Sequence, residues 1–195
     1  MPIRISYQMK DISEFSTPTA IPSVWRREYA SAEVIGMEIR EVQLDDIGKI
    51  IGLINDNYDF VMAEAHSKAV LEKFKSHNTI ENWINQMKWK RIFVVEEGDE
   101  IIATGSLADF GDQKLPKVSI SNFFVAPHKQ GTGVGRFLAT HLKEIASKMG
   151  AGKLHVPSSR TGFSFYSRLG FMKDDIQDDD KDEIIWMTML LPPPN

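Results

Sequence analysis

A chain of 195 residues with 42% hydrophobic and 26% charged content can bury a full core and reads most simply as one domain. Its formal charge of −4, with no basic run longer than Lys88-Trp89-Lys90-Arg91, disfavours a broad nucleic-acid-binding face. Zero cysteine excludes disulfide staples, thiolate zinc sites and any route through a cysteine nucleophile.

Residues 1 to 36 show no clear period, and Thr17-Pro18-Thr19-Ala20-Ile21-Pro22 is loop-like, so this stretch is expected to be an extension packed on a main domain over residues 37 to 191. Met1 to Ser6 lack the apolar core of a signal peptide and no run reaches membrane-spanning length, so a soluble, cytoplasmic protein is expected. Val34 to Val42 reads as a strand. Asp45 is a plausible cap for a helix with an apolar stripe at Ile47, Ile50, Ile51 and Ile54, which Asn55-Asp56-Asn57 is expected to break. Phe60 to Phe74 resumes the helical pattern weakly, and Asn78-Thr79-Ile80-Glu81 has the form of a capping box before a helix carrying Trp83, Ile84 and Met87.

The period then changes. Ile92 to Val95 and Ile101 to Leu107 are β-like runs around a turn at Glu96 to Glu100, and Val118 to Val125 is a third. A helix with Phe137, Leu138, Leu142 and Ile145 ends near Met149-Gly150. Leu154 to Pro157 is a short strand, Thr161 to Leu169 a short helix, and Phe171 to Lys173 and Ile184 to Leu191 two strands around an acidic loop. Residues 192 to 195 form a tail in which Pro192, Pro193 and Pro194 end pairing. This order implies an α/β or α+β sheet covered by helices.

The most telling stretch is Gln130-Gly131-Thr132-Gly133-Val134-Gly135-Arg136, set between a strand and a helix. Unpaired N–H groups at a positive helix end suit a bound phosphate. A dinucleotide fingerprint would need glycine or alanine at Arg136 or at Leu138, and a P-loop would need lysine after Gly135; both fail. A flexible turn without a ligand is the bland alternative. The histidines at 66, 77, 128, 141 and 155 have no metal-ligand spacing, so no metal site is expected.

The run Val125-Ala126-Pro127-His128-Lys129-Gln130-Gly131-Thr132-Gly133-Val134-Gly135 resembles the acetyl-CoA pyrophosphate loop of the GNAT superfamily of N-acyltransferases. Downstream, Phe163-Ser164-Phe165-Tyr166-Ser167-Arg168-Leu169-Gly170-Phe171 is similar to that family's Phe-Tyr-x-x-x-Gly-Phe segment. The resemblance extends in element order over residues 37 to 191. It implies a single-domain GNAT-like fold with a central mixed, mostly antiparallel sheet, and an enzyme moving an acetyl group from acetyl-CoA to a primary amine by direct attack.

Residue by residue, the resemblance implies that the backbone of Gly131, Thr132, Gly133, Val134, Gly135 and Arg136 holds the diphosphate, with Gln130 adding an amide and Lys129 or Arg136 meeting the ribose phosphate. The end of the preceding strand would pair with the pantetheine arm, the N–H of Phe124 or Val125 polarising the thioester carbonyl. Tyr166 becomes the general acid for the departing thiolate. Ser159 stands where relatives often have an asparagine that contacts the cofactor. The strand Val118 to Val125 lacks the family's usual carboxylate, which leaves Asp109, Glu64, His128 or a water chain as the base. The acceptor is expected between about Asn55 to His66 and the last hairpin. Its acidic residues, 174 to 183, are either a solvated tip or an attractor of cationic amines or peptides. A homodimer is compatible with the family. A catalytically idle acyl-CoA-binding or sensing module on the same fold is the first rival, and a nucleotide-triphosphate-binding protein the second.

Overall fold

A computed structural model of the protein describes residues 36–111, 117–179 and 183–192, without the side chains of residues 175–179. The expected extension over residues 1 to 36 lies, but for Gly36, outside the described residues.

The strands β1 (Met37–Glu41), β2 (Lys90–Glu97), β3 (Glu100–Asp109), β4 (Val118–Val125), β5 (Lys153–Ser159), β6 (Met172–Asp179) and β7 (Ile184–Leu190) form one sheet in the order β1-β2-β3-β4-β5-β7-β6. Every neighbouring pair is antiparallel except β4 and β5. The helices are α1 (Ile47–Phe60), α2 (Lys68–His77), α3 (Ile80–Met87), α4 (Val134–Lys148) and α5 (Phe163–Arg168). The expected mixed, mostly antiparallel sheet flanked by helices is what the chain forms.

Period-two patterning divides the core into two. Ile92 and Val94 of β2 pack with Ile50, Ile54 and Trp83 on one face, whereas Phe93 and Val95 pack with Leu138 and Leu142 on the other. Because both faces are covered, the run Ile92-Phe93-Val94-Val95 is apolar throughout. The approach of α4 depends on Gly105 of β3. A methyl there would stand 3.0 Å from Leu142 and 3.1 Å from Leu138.

Three local expectations need correction. Asn55-Asp56-Asn57 does not break α1, which continues to Phe60. Asn57 is buried, and its Nδ2 donates to the Leu53 carbonyl at 2.9 Å and to the Val125 carbonyl at 3.0 Å, so tertiary partners offset its poor helix propensity. The weak period from Phe60 to Phe74 is interrupted instead: Val61 to His66 form turns, and Ser67 caps α2 by accepting from the Val70 N–H. The acidic run after Lys173 is mostly strand, paired at Asp178 with Ile185 and at Asp179 with Ile184. As the last strand of the sheet, β6 is the kind of edge where charge is tolerated.

The caps also differ by one residue from expectation. A 3₁₀ turn, Leu44–Asp46, precedes α1, and the Asp46 carboxylate, not that of Asp45, accepts from the Gln43 N–H at 2.7 Å. Asp46 is held by Arg40, whose Nη1 and Nη2 reach its two oxygens at 2.7 and 2.8 Å. Arg40 also donates to Glu96, so β1, β2 and the start of α1 share one guanidinium. At α3 the cap is Thr79, whose Oγ1 accepts from the Asn82 N–H at 3.3 Å.

Candidate active site

The parallel neighbours β4 and β5 are in register only at Val118 with Leu154 and Ser119 with His155, then part. Beyond Ser119 the edge of β4 facing β5 therefore has no strand to pair with. A cleft of about 630 Å³ opens there, walled by Ile120 to Val125 on one side and by Val156, Pro157 and Ser159 on the other. A bulge sharpens the parting: Asn122 has φ of 51°, and the β3–β4 register shifts between Thr104 and Ser106. Nothing in the spacing of apolar residues announces that bulge.

The start of α4 closes one end of the cleft, where Gly131, Gly133, Gly135 and Arg136 line it. The glycines have different physical reasons. Gly131 and Gly133 have φ of 81° and 99°, with Gly133 in the left-handed region at the helix cap, a conformation that side chains resist. Gly135 is instead needed for packing, since a methyl there would meet the Phe165 ring at 3.2 Å and Val125 at 3.4 Å. The first N–H groups of α4 have no acceptor inside the helix, and with the positive end of its dipole they suit an anion.

Not every expected contact at this turn is free. Val134 is buried in the core and Thr132 Oγ1 donates to the Lys129 carbonyl at 2.8 Å; neither residue lines the cleft. Gln130 lines the cleft, but its Nε2 donates to Asn57 Oδ1 at 3.0 Å and to the Val125 carbonyl at 3.2 Å. Lys129 is paired with Glu97, which leaves exposed Arg136 as the cation of this turn that lines the cleft. Ser159 Oγ accepts from the Gly162 N–H at 3.1 Å and bonds Thr161 Oγ1 at 2.9 Å, building the turn into α5.

Tyr166 sits in the cleft wall, its side chain nearly enclosed by rings: Phe165 at 5.1 Å, Phe171 at 5.5 Å and Phe123 at 5.9 Å between centroids. Burial pushes the pKa of its hydroxyl well above the ordinary phenol value, so it keeps its proton. Phe124 and Val125 line the cleft with it. Opposite stands an apolar pocket wall of Tyr58, Val61, Met62 and Phe74, with Tyr58 edge-on to Phe124 at 5.7 Å. Burial pushes the Tyr58 hydroxyl up to about 12.

The expected bases do not gather here. Asp109 Oδ1 accepts from the N–H groups of Gly111 and Lys117, Glu64 is exposed, and His128 is an exposed residue 3.2 Å from Glu100; none lines the cleft. The histidine that does line it is His66, with Glu183 beside it. No motif could have flagged the pair, because they meet only through the tertiary fold. Among the described residues no group of three or more His, Asp or Glu side chains could hold a metal, and no helix is long and apolar enough to cross a membrane.

Comparison with protein-family models matches residues 61–191 to the acetyltransferase (GNAT) domain. The chain belongs to the GNAT acetyltransferase family. Solved structures of GNAT proteins share the fold at low identity. The PaiA N-acetyltransferase from Thermoplasma acidophilum, solved in complex with coenzyme A, superposes with a TM-score of 0.70 at 18% identity, over 80% of this chain and 99% of that one. An acetyltransferase from Streptococcus agalactiae gives 0.62 at 18%, over 80% and 99%. N-acetylglutamate synthase from Neisseria gonorrhoeae, complexed with coenzyme A and L-arginine, gives 0.54 at 20%, over 80% of this chain and 33% of that one. No curated protein sequence matches the chain. The parted strands and the glycine turn of this GNAT domain fit a ligand with an anionic end and a peptide-like arm.

Proposed function

We propose that the protein transfers an acetyl group from acetyl-CoA to a primary amine by direct attack through a tetrahedral intermediate. The observation that carries this reading is the cleft itself, whose walls combine an unpaired strand edge, an α4 N-terminus and a protonated Tyr166. The diphosphate of acetyl-CoA is held by backbone N–H groups from Gly131 to Arg136, with the Arg136 guanidinium free of ion pairs among the described residues. The pantetheine arm runs beside the unpaired edge of β4 as an extra strand would.

The amine nitrogen attacks the thioester carbon, and the N–H of Phe124 or Val125 receives the oxyanion. As the C–S bond breaks, Tyr166 gives its proton to the thiolate and recovers one from the nitrogen that has become an amide. Direct attack agrees with a chain that has no cysteine to carry an acyl group. The bare wall of Tyr58, Met62 and Phe74 gives the acceptor an apolar surface, which supports binding of its carbon skeleton.

The test is to follow thiol release from acetyl-CoA against polyamines, amino acids, aminoglycosides, arylamines and peptide N-termini. Amine-dependent release with at least one class is expected. Tight acetyl-CoA binding with no release for any amine would overturn the enzyme reading in favour of an acyl-CoA-sensing module.

A further inference from the structure

Glu183 lies just before β7, in a left-handed conformation with φ of 55°, and its carboxylate joins three segments distant in sequence. Oε2 accepts from the Ser67 N–H at 3.1 Å at the start of α2, and Arg160 Nη1, after β5, stands 3.9 Å away. The same oxygen is 3.0 Å from His66 Nδ1, an ion-pairing contact whose angle falls short of a good hydrogen bond. Arg160 also donates to the Ala65 carbonyl at 3.3 Å, which ties the turn carrying His66 to β5. The imidazole is fully shielded from solvent, and its Nε2 has no partner among the described residues.

A buried ring nitrogen without a partner, in a residue that lines a substrate cleft, is a polar position left unfilled beside the substrate. We propose that His66, positioned by Glu183, takes the proton from the acceptor ammonium, an inference that rests on the amine-acetyltransferase reading. The carboxylate favours the tautomer with hydrogen on Nδ1, leaving the Nε2 lone pair for the acceptor N–H, directly or through one water. The ammonium loses one proton to Nε2, and the freed nitrogen lone pair forms the C–N bond. The imidazolium, stabilised by the Glu183 carboxylate, then passes its proton back out through the cleft once the product has left.

The electrostatics agree. Burial above all lowers the imidazole pKa below its ordinary 6.5, Glu183 opposes that shift, and Arg160 adds a smaller push downward. The ring is therefore neutral and able to accept at pH 7. Tyr58 of α1, Tyr166 and Arg168 of α5 and Arg136 of α4 are the other ionisable side chains that line the cleft, and none is a carboxylate.

The pH dependence of kcat/KM separates the possibilities. Wild type should show an acidic limb below pH 6.5, where the imidazole protonates. His66→Gln should lose that limb and about 100-fold or more in rate at pH 7, while binding acetyl-CoA normally. Glu183→Gln should slow the reaction and move the limb to lower pH, because the carboxylate raises the imidazole pKa. A His66→Gln enzyme with wild-type rate and pH profile would overturn the inference and leave the transferase reading standing. If wild type releases no thiol with any amine, both fall. Nitrogen-15 NMR of the wild-type histidines needs no variant to fold: hydrogen on Nδ1 alone at pH 7 supports the assignment, and an imidazolium or hydrogen on Nε2 overturns it.

Discussion

Gln130 Nε2 donates to Asn57 Oδ1 at 3.0 Å, joining the turn before α4 to the last turns of α1, and both amides also donate to the Val125 carbonyl. The final carbonyl of β4 is thereby held both by α1 and by the first residue of the glycine turn. Replacing Asn57 with alanine removes its hydrogen bonds to the Leu53 and Val125 carbonyls and leaves the Gln130 amide with the Val125 carbonyl alone. Asn57→Ala should cost about 1–2 kcal/mol, net of alanine's better helix propensity, and should also weaken acetyl-CoA binding. An unchanged urea midpoint and KM for acetyl-CoA would show that the tie does nothing.

The two kinds of glycine at the start of α4 predict different failures. Gly133→Ala meets no atom within 4 Å, yet forces a side chain to φ of 99°, which should cost ~1–2 kcal/mol in a thermal melt. Gly135→Val should be destabilising because of its neighbours, by about 1–3 kcal/mol. Trimming Phe165 to leucine should recover part of the Gly135→Val loss and none of the Gly133→Ala loss. Equal recovery in both double variants would contradict the distinction.

Tyr166→Phe keeps the ring packing against Phe123, Phe165 and Phe171 and removes only the hydroxyl. Turnover should fall ~100-fold or more, as expected for loss of a general acid, with little change in acetyl-CoA affinity. Calorimetry with acetyl-CoA beside the thiol-release assay checks the split. Equal loss in both would make Tyr166 a structural residue.

Arg40 should set the acid tolerance of the fold. Its hydrogen bonds hold the Asp46 and Glu96 carboxyls below their ordinary values of 3.8 and 4.5. The stability they contribute is complete above those ordinary values and is lost as pH falls through the lowered folded ones. Arg40→Met should cost about 2 kcal/mol at pH 7, with the gap to wild type narrowing below pH 4. Denaturant curves at pH 7 and pH 3 measure both ends, and a gap independent of pH would contradict the linkage.

How much of this could be read in the chain varies with how local each feature is. The continuous apolar runs of β2 and β3 and the glycines before α4 are local, and each led to the right element. Asn57 misled because its fitness for a helix comes from Val125 and Gln130, far along the chain. The acidic residues of β6 suggested a loop because composition cannot say that a strand lies at a sheet edge. Asn122, bulged at positive φ where the register with β3 shifts around Gly105, belongs to a pairing between distant strands that no local pattern records. His66 and Glu183 went unpaired in the sequence for the same reason: a lone histidine and one acid among many carry no spacing that joins them.

The parting of β4 and β5 after two residue pairs also makes the middle of the sheet its softest seam. Amides of β4 beyond Ser119 that face the gap have no strand acceptor to shield them, whereas those of β2 and β3 are locked from both sides. The sheet is in effect two leaves, β1 to β4 and β5 to β6, stitched at Val118 and Ser119. Any ligand that lies along the open edge adds the missing stitches, so loading the site would stiffen the whole domain along its centre line.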